Sequence, residues 1–490
     1  LVPLKALAEE KYEYLKEIYG DLIKPAISTS DKTEYDSELK EYNVLISTYE
    51  KADALMRKSI EWFRDLGLVV VDEAQEIGGR MRGPDLEIML PAVKHVIPDC
   101  QFLFLAASIS NPEDFKGWLA DKFEVVKSRF RPTKLLEGVF LRGRVEYNDG
   151  TVERFQTEST VPRFAAIGLG TEIAKNGGQP LIYSATKFRT EQIAKSLLEK
   201  SDAFESQVNL EALSKKAEEL ERELEEIGES TTLLLDCIKR GIGFHHAGLT
   251  VIERLFVERL FRERLLRIVV ATTTLAEGLN FPASHIIFAN DWKGNREELT
   301  LNEYKSIAGR AGRPGYYPTG KAILIATNRA TKERYQENYI TPSSAPVVSR
   351  LGEKESFQPQ LLSIISRFPK ITKKGLFDFL SKTYYGFLIG TGFSQIRDRI
   401  EEDLESLEKE GFIIISGENI IPTDFGMVTG HFRLNPESSI IIRDGLKLLS
   451  EKTTISDFYV LHLVCSTPDF APALPIVTNY EEAFYAREFL

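Results

Sequence analysis

The chain has 490 residues, 43% of them hydrophobic and 28% charged, with a formal net charge of −11. Such a composition excludes general disorder, and the length suggests about three or four domains rather than one core. Three cysteines far apart, at 100, 237 and 465, exclude a disulfide framework or a C-x-x-C zinc site and suggest reduced thiols inside a cell. No apolar run is long enough for a membrane span, so no membrane partner is expected; a cytoplasmic location and a monomer are separate expectations. The acidic balance argues only weakly against a nucleic-acid partner, because a strand can lie in a local channel.

Residues 1–160 alternate helical periodicity with short β-branched runs, Asn43 to Ser47, Leu68 to Val71 and Gln101 to Leu105. That pattern predicts a parallel sheet covered on both faces. Within it, Val145 to Val152 reads as a hairpin around Asp149-Gly150. Residues 161–340 form a second α/β unit, with strands at Pro180 to Ser184, Arg267 to Ala271, His285 to Ala289 and Lys321 to Ala326. The glutamate-rich stretch Leu210 to Ile227 between them reads as a solvated amphipathic helix.

Thr341 to Pro346 is a linker by composition. Residues 350–436 read as a winged helix: Ile396, Ile400, Leu404 and Leu407 stripe one helix face, and strand, turn and strand follow from Phe412 to Pro422. Residues 437–490 read as the start of a helical domain. The chain opens and closes inside helical texture, so a stretch of a longer protein is expected.

Chemistry concentrates in two strings. Val69-Val70-Val71-Asp72-Glu73-Ala74-Gln75 sets two carboxylates at the carboxyl end of a buried strand, where open α/β sheets hold ligands. There Asp72 suits Mg2+ held through water, and Glu73 suits a base for an attacking water. Ala308-Gly309-Arg310-Ala311-Gly312-Arg313 offers two guanidinium groups able to clamp γ-phosphate charge. The phosphate loop G-x-x-x-x-G-K-[ST] that should accompany them is not in the 490 residues. ATP hydrolysis by this stretch alone is therefore expected to be absent or very slow, with the loop expected upstream of Leu1.

In these strings, and in Val2-Pro3-Leu4-Lys5-Ala6-Leu7, Glu50-Lys51-Ala52-Asp53, Ile109 to Glu113, Gly243 to Leu249, Thr272 to Asn280, Glu303-Tyr304-Lys305 and Leu461 to Asp469, the chain resembles superfamily 2 helicases. It is most similar to the archaeal DNA-repair helicases related to HelQ. The resemblance implies two RecA-like domains with ATP and Mg2+ in the cleft between them. It implies catalytic roles for Glu73, Arg310 and Arg313, and nucleotide-site roles for Asp72, Gln75, Gly278 and Asn280. Ser47, Thr48, Thr272 and Thr274 would hold strand phosphates, and Trp292 is either a wedge at a terminal base pair or a partly buried loop tryptophan. The implied activity is 3′ to 5′ translocation and unwinding in DNA repair or at stalled forks, with single-stranded and forked DNA as partners. The alternatives are an exosome-associated RNA helicase and a non-enzymatic nucleic-acid binder with a degenerate motor.

Three positions depart from the pattern: Ala106-Ala107-Ser108 replaces Ser-Ala-Thr, Ser306 replaces a glutamine and Thr273 replaces a proline. The pair His245-His246 reads as a structural turn rather than a metal site. Lys373, Lys374, Arg397 and Arg399 of the winged helix are candidates for duplex phosphates.

Overall fold

The computed structural model describes residues 1–29, 38–57, 61–79, 82–107, 109–119, 122–128, 130–131, 133–224, 226–272, 283–293, 297–312, 317–342, 344–450 and 457–470. In the first unit, β1 (Pro25–Ser28) pairs in parallel with β2 (Val44–Ser47), and β3 (Leu68–Val71) with β4 (Gln101–Phe104). Leu1 and Val2 knit these pairs together. Val2 N–H donates to Ser47 O at 3.0 Å, and Asp72 N–H donates to Leu1 O at 2.9 Å. Helices Lys5–Tyr19, Tyr49–Arg57 and Gly83–Val96 accompany the strands.

The second unit is built on an eight-stranded sheet. Its strands are β5 (Lys134–Leu141), β6 (Arg144–Tyr147), β7 (Val152–Arg154), β8 (Pro180–Tyr183), β9 (Ile242–His245), β10 (Ile268–Ala271), β11 (His285–Phe288) and β12 (Thr319–Ile325), in the order β7-β6-β5-β12-β11-β8-β10-β9. Six run parallel, and β5, β6 and β7 form an antiparallel meander at one edge. Every residue of β8, β9 and β10 is buried, as expected for parallel strands covered on both faces.

The Asp149-Gly150 turn forms as expected, with Gly150 at φ 83°. The meander itself, however, does not belong to the first unit. Lys134 to Phe140 pairs along its length with Thr319 to Ile325, so a division at residue 160 cuts through the second sheet. The first unit ends before Lys134.

Beyond the second unit come helices Lys354–Arg367, Lys373–Leu380, Tyr384–Ile389 and Arg397–Lys409, then the antiparallel wing of β13 (Ile413–Ser416) and β14 (Asn419–Pro422), then helix Asp424–Phe432. Ile400, Leu404 and Leu407 are buried, and Gly411 after the helix takes φ 81°. This winged module shares one hydrophobic core with the first unit: Ile88, Leu90 and Phe115 belong to the same cluster as Leu361, Ile365 and Tyr384. Polar ties cross the same seam. Asp53, 1% exposed, accepts from both Arg367 and Arg433, and Arg433 also donates to Asp85. Trp118 Nε1 donates to Lys382 O at 2.9 Å, and Asn111 exchanges two hydrogen bonds with the backbone of Val347, at 2.7 and 2.9 Å. Helices Pro436–Ser450 and Asp457–Cys465 follow. Among the described residues, no helix is long and apolar enough to cross a membrane.

Candidate active site

Strand β3 delivers Asp72 and Glu73 to its carboxyl end. Tyr49, 1% exposed, donates its hydroxyl to the Asp72 carbonyl and so fixes the strand terminus. Glu73 sits in the left-handed region at φ 52°, ψ 46°. A non-glycine residue there costs about 1 kcal/mol or more. The chain thus turns sharply, and the Glu73 carboxylate accepts from Gln75 Nε2. The other end of the Gln75 amide accepts from Ala107 N–H at 3.2 Å. A single side chain therefore bridges the glutamate to Ala107, in the segment after β4. Because the donor is a backbone amide, the hydroxyl lost at Ala106 is not needed for this contact. The Asp72 carboxylate accepts from Glu73 N–H at 3.1 Å, and Lys11 Nζ lies 3.6 Å from it.

Arg310 arrives from the other unit, just after helix Leu301–Ala308. Burial lowers its pKa, and the carboxylates of Glu73 and Glu10 act against that shift. Arg310 and Glu73, 237 positions apart in number, therefore lie within electrostatic reach of each other across the two units. A half-buried guanidinium near a carboxylate stays charged and is less hydrated than one in open water, which strengthens its pull on any phosphate that enters.

Ser47 closes β2 and Thr48 caps the next helix. Both are buried, with Ser47 Oγ donating to Thr48 O at 3.2 Å and Lys51 N–H donating to Thr48 Oγ1 at 3.4 Å. Thr272 follows β10, is buried, and donates its N–H to His245 O at 3.1 Å. Trp292 is half-buried, carries the Arg189 guanidinium 4.6 Å from its ring centroid, and forms an antiparallel bridge with Glu298. Thr274, Gly278, Asn280 and Arg313 lie outside the described residues.

The histidine pair is a strand end and its turn. His245 closes β9 and meets Glu258 at 3.0 Å, while His246 Nε2 meets Glu191 at 3.1 Å and its Nδ1 accepts from Gly248 N–H at 3.2 Å. Burial lowers the His246 pKa. On the winged module, Arg399 is spent internally, donating to Gly352 O at 2.8 Å, and Arg397 lies over the Phe377 ring. The sequence reading missed Tyr49, although it sits beside Ser47 and Thr48, and missed Glu10, which only the fold brings to Arg310.

Residues 1–115 match the family model described as DEAD/DEAH box helicase, and residues 214–315 match the Helicase conserved C-terminal domain. Fold and site thus define the two-part, RecA-like core of a superfamily 2 helicase. Over 96% of its length the chain is 32% identical to the ATP-dependent DNA helicase Hel308 of Methanocella arvoryzae and to that of Pyrobaculum calidifontis. It is 31% identical to the Thermoplasma volcanium protein of the same name, with all of this chain and 68% of that protein aligned. The chain belongs to the Hel308 family of DNA helicases. It spans 63% and 65% of the length of the first two relatives.

Proposed function

We propose that these residues are the motor of an ATP-dependent DNA helicase, with ATP held between the two units. The observation that carries this is Arg310 of the second unit set against Glu73 of the first. Glu73 would accept the proton of the attacking water, and Arg310 with Arg313 would draw charge from the γ-phosphate as the bond breaks. The hard carboxylate oxygens of Asp72 suit Mg2+ held through water, which would supply neutralisation of phosphate charge. Gln75 would report the nucleotide state to the segment after β4, with Gly278 and Asn280 completing the cleft.

A single DNA strand would cross the carboxyl ends of the strands, near Ser47, Thr48, Thr272 and Thr274. The buried hydroxyls of Ser47 and Thr48 favour contact through backbone amides there. Trp292, braced by Arg189, would meet the first base pair, and travel would be 3′ to 5′ on forked DNA in repair. Both domain limits and partners belong to this proposal: motor units meeting between residues 107 and 134, a winged helix over about 350–436, and a helical domain from 437.

The test is strand-stimulated ATP turnover and fork unwinding by the full-length gene product carrying Glu73→Gln or Arg310→Ala. Each is expected to lower turnover by on the order of 10³-fold. Unchanged turnover in both would sink the reading, and faster unwinding of RNA than of the matching DNA fork would overturn the choice of substrate.

A further inference from the structure

The geometry points to Arg131, in the connection between the two motor units, as a positioning residue for Arg310. One terminal nitrogen, Nη2, donates to Gly309 O at 2.9 Å and to Ala311 O at 3.1 Å. These are the carbonyls immediately before and after Arg310. The carbonyl between them, that of Arg310 itself, accepts from Ala283 N–H at 3.3 Å, and Gly312 N–H returns to Ala283 O at 2.8 Å. The three successive peptide groups that aim the Arg310 side chain are thus each held from outside, two of them by Arg131.

Their need for outside partners follows from position. Helix Leu301–Ala308 has just ended, and carbonyls at a helix carboxyl end have no partner within the helix. A cation is favoured at that end by the helix dipole. The grip extends to the helix itself: Glu137, six residues after Arg131, takes Lys305 Nζ at 2.9 and 3.0 Å. Arg131 and Glu137 therefore hold the Arg310-bearing segment from one stretch of chain. That stretch begins in the crossing between the units. When the cleft changes width, this crossing must move, and Arg310 is tied to it.

The inference rests on Arg310 acting on the nucleotide, so the experiment separates the two. In the full-length gene product, Arg131→Ala is expected to lower strand-stimulated kcat for ATP by about 10- to 100-fold, the range a misplacement of about 1 Å produces. The KM for ATP and the affinity for single-stranded DNA should change less than about threefold. In an Arg310→Ala background, Arg131→Ala should cause no further loss, because its effect passes through the missing group. Arg131→Lys, which keeps the charge and the donors, should recover much of the rate. Arg131→Gln serves where the alanine variant melts early. A normal kcat in Arg131→Gln, or losses that multiply in the double variant, overturns the inference. A normal kcat in Arg310→Ala alone overturns the functional reading instead.

Discussion

Replacing Asp53 with alanine removes the carboxylate that two arginines of the winged module share. Arg367 is 5% exposed and Arg433 is 16% exposed, so neither can recover its hydration by turning outward. The wild-type cluster balances two carboxylates, Asp53 and Asp85, against two guanidiniums; the variant leaves one net positive charge buried at the seam. Breaking a buried pair from one side costs about 3–5 kcal/mol. Asp85, which also accepts from Gln360 at 2.6 Å, still neutralises Arg433, so the lower end, about 3 kcal/mol, is expected. Trp118 lies on the same seam, and urea unfolding followed by tryptophan fluorescence will report the loss. With a slope of about 3 kcal/mol/M, the midpoint moves down by about 1 M. The double variant Asp53→Ala/Arg367→Met removes the stranded charge and should be more stable than the sum of the single losses. A midpoint shift below about 0.2 M in the single variant, or simple addition in the double, refutes this account of the seam.

Glu87 is fully buried between Ser349 and the Tyr385 amide, and burial pushes its pKa from 4.5 up to about 7. The folded state therefore holds a proton that the unfolded state releases, so its contribution to stability is complete below pH 4.5 and is lost as pH rises to about 7. Glu87→Gln should abolish that slope, and a parallel decline in both proteins across this window counts against it. Tyr49→Phe removes one hydrogen bond to the Asp72 carbonyl, expected to cost about 1 kcal/mol in urea unfolding, with a fall in strand-stimulated ATP turnover. In Gly320→Ala the new Cβ would lie 2.1 Å from the Ala311 carbonyl carbon and oxygen. A destabilisation of about 1–3 kcal/mol is expected, together with a turnover defect like that of Arg131→Ala; full activity would mean that the Ala311 backbone yields freely.

The legible parts of this molecule were those written in neighbouring residues. The β-branched runs, the Asp149-Gly150 turn, and the stripe of Ile400, Leu404 and Leu407 each became the expected element, while Ile396, read with that stripe, is half-buried at the helix N-cap. Strand β9 was hidden because Gly243 interrupts Ile242-Gly243-Phe244-His245 and leaves one β-branched residue where strands of equal length show a run. The meander went to the wrong unit for a different reason. Its turn is local, but the choice of sheet depends on β12, which lies far along the chain. Likewise Asp72-Glu73 and Arg310 were visible as two strings, while Arg131 and Glu10, which only the fold brings near the Arg310 segment, have no pattern of their own.

The core common to the first unit and the winged module reduces the count of moving bodies. The chain crosses from this joint body to the second unit and returns, and near the joint body the two crossings are fastened together: Ser110 N–H donates to Ala345 O at 3.1 Å, and Asn111 holds Val347. Two tethers fixed side by side resist separation yet allow swing about their common anchor. Because the helices and hairpin beyond residue 350 share the first unit's core, any hinge at that anchor would carry them and the first unit as one body against the second.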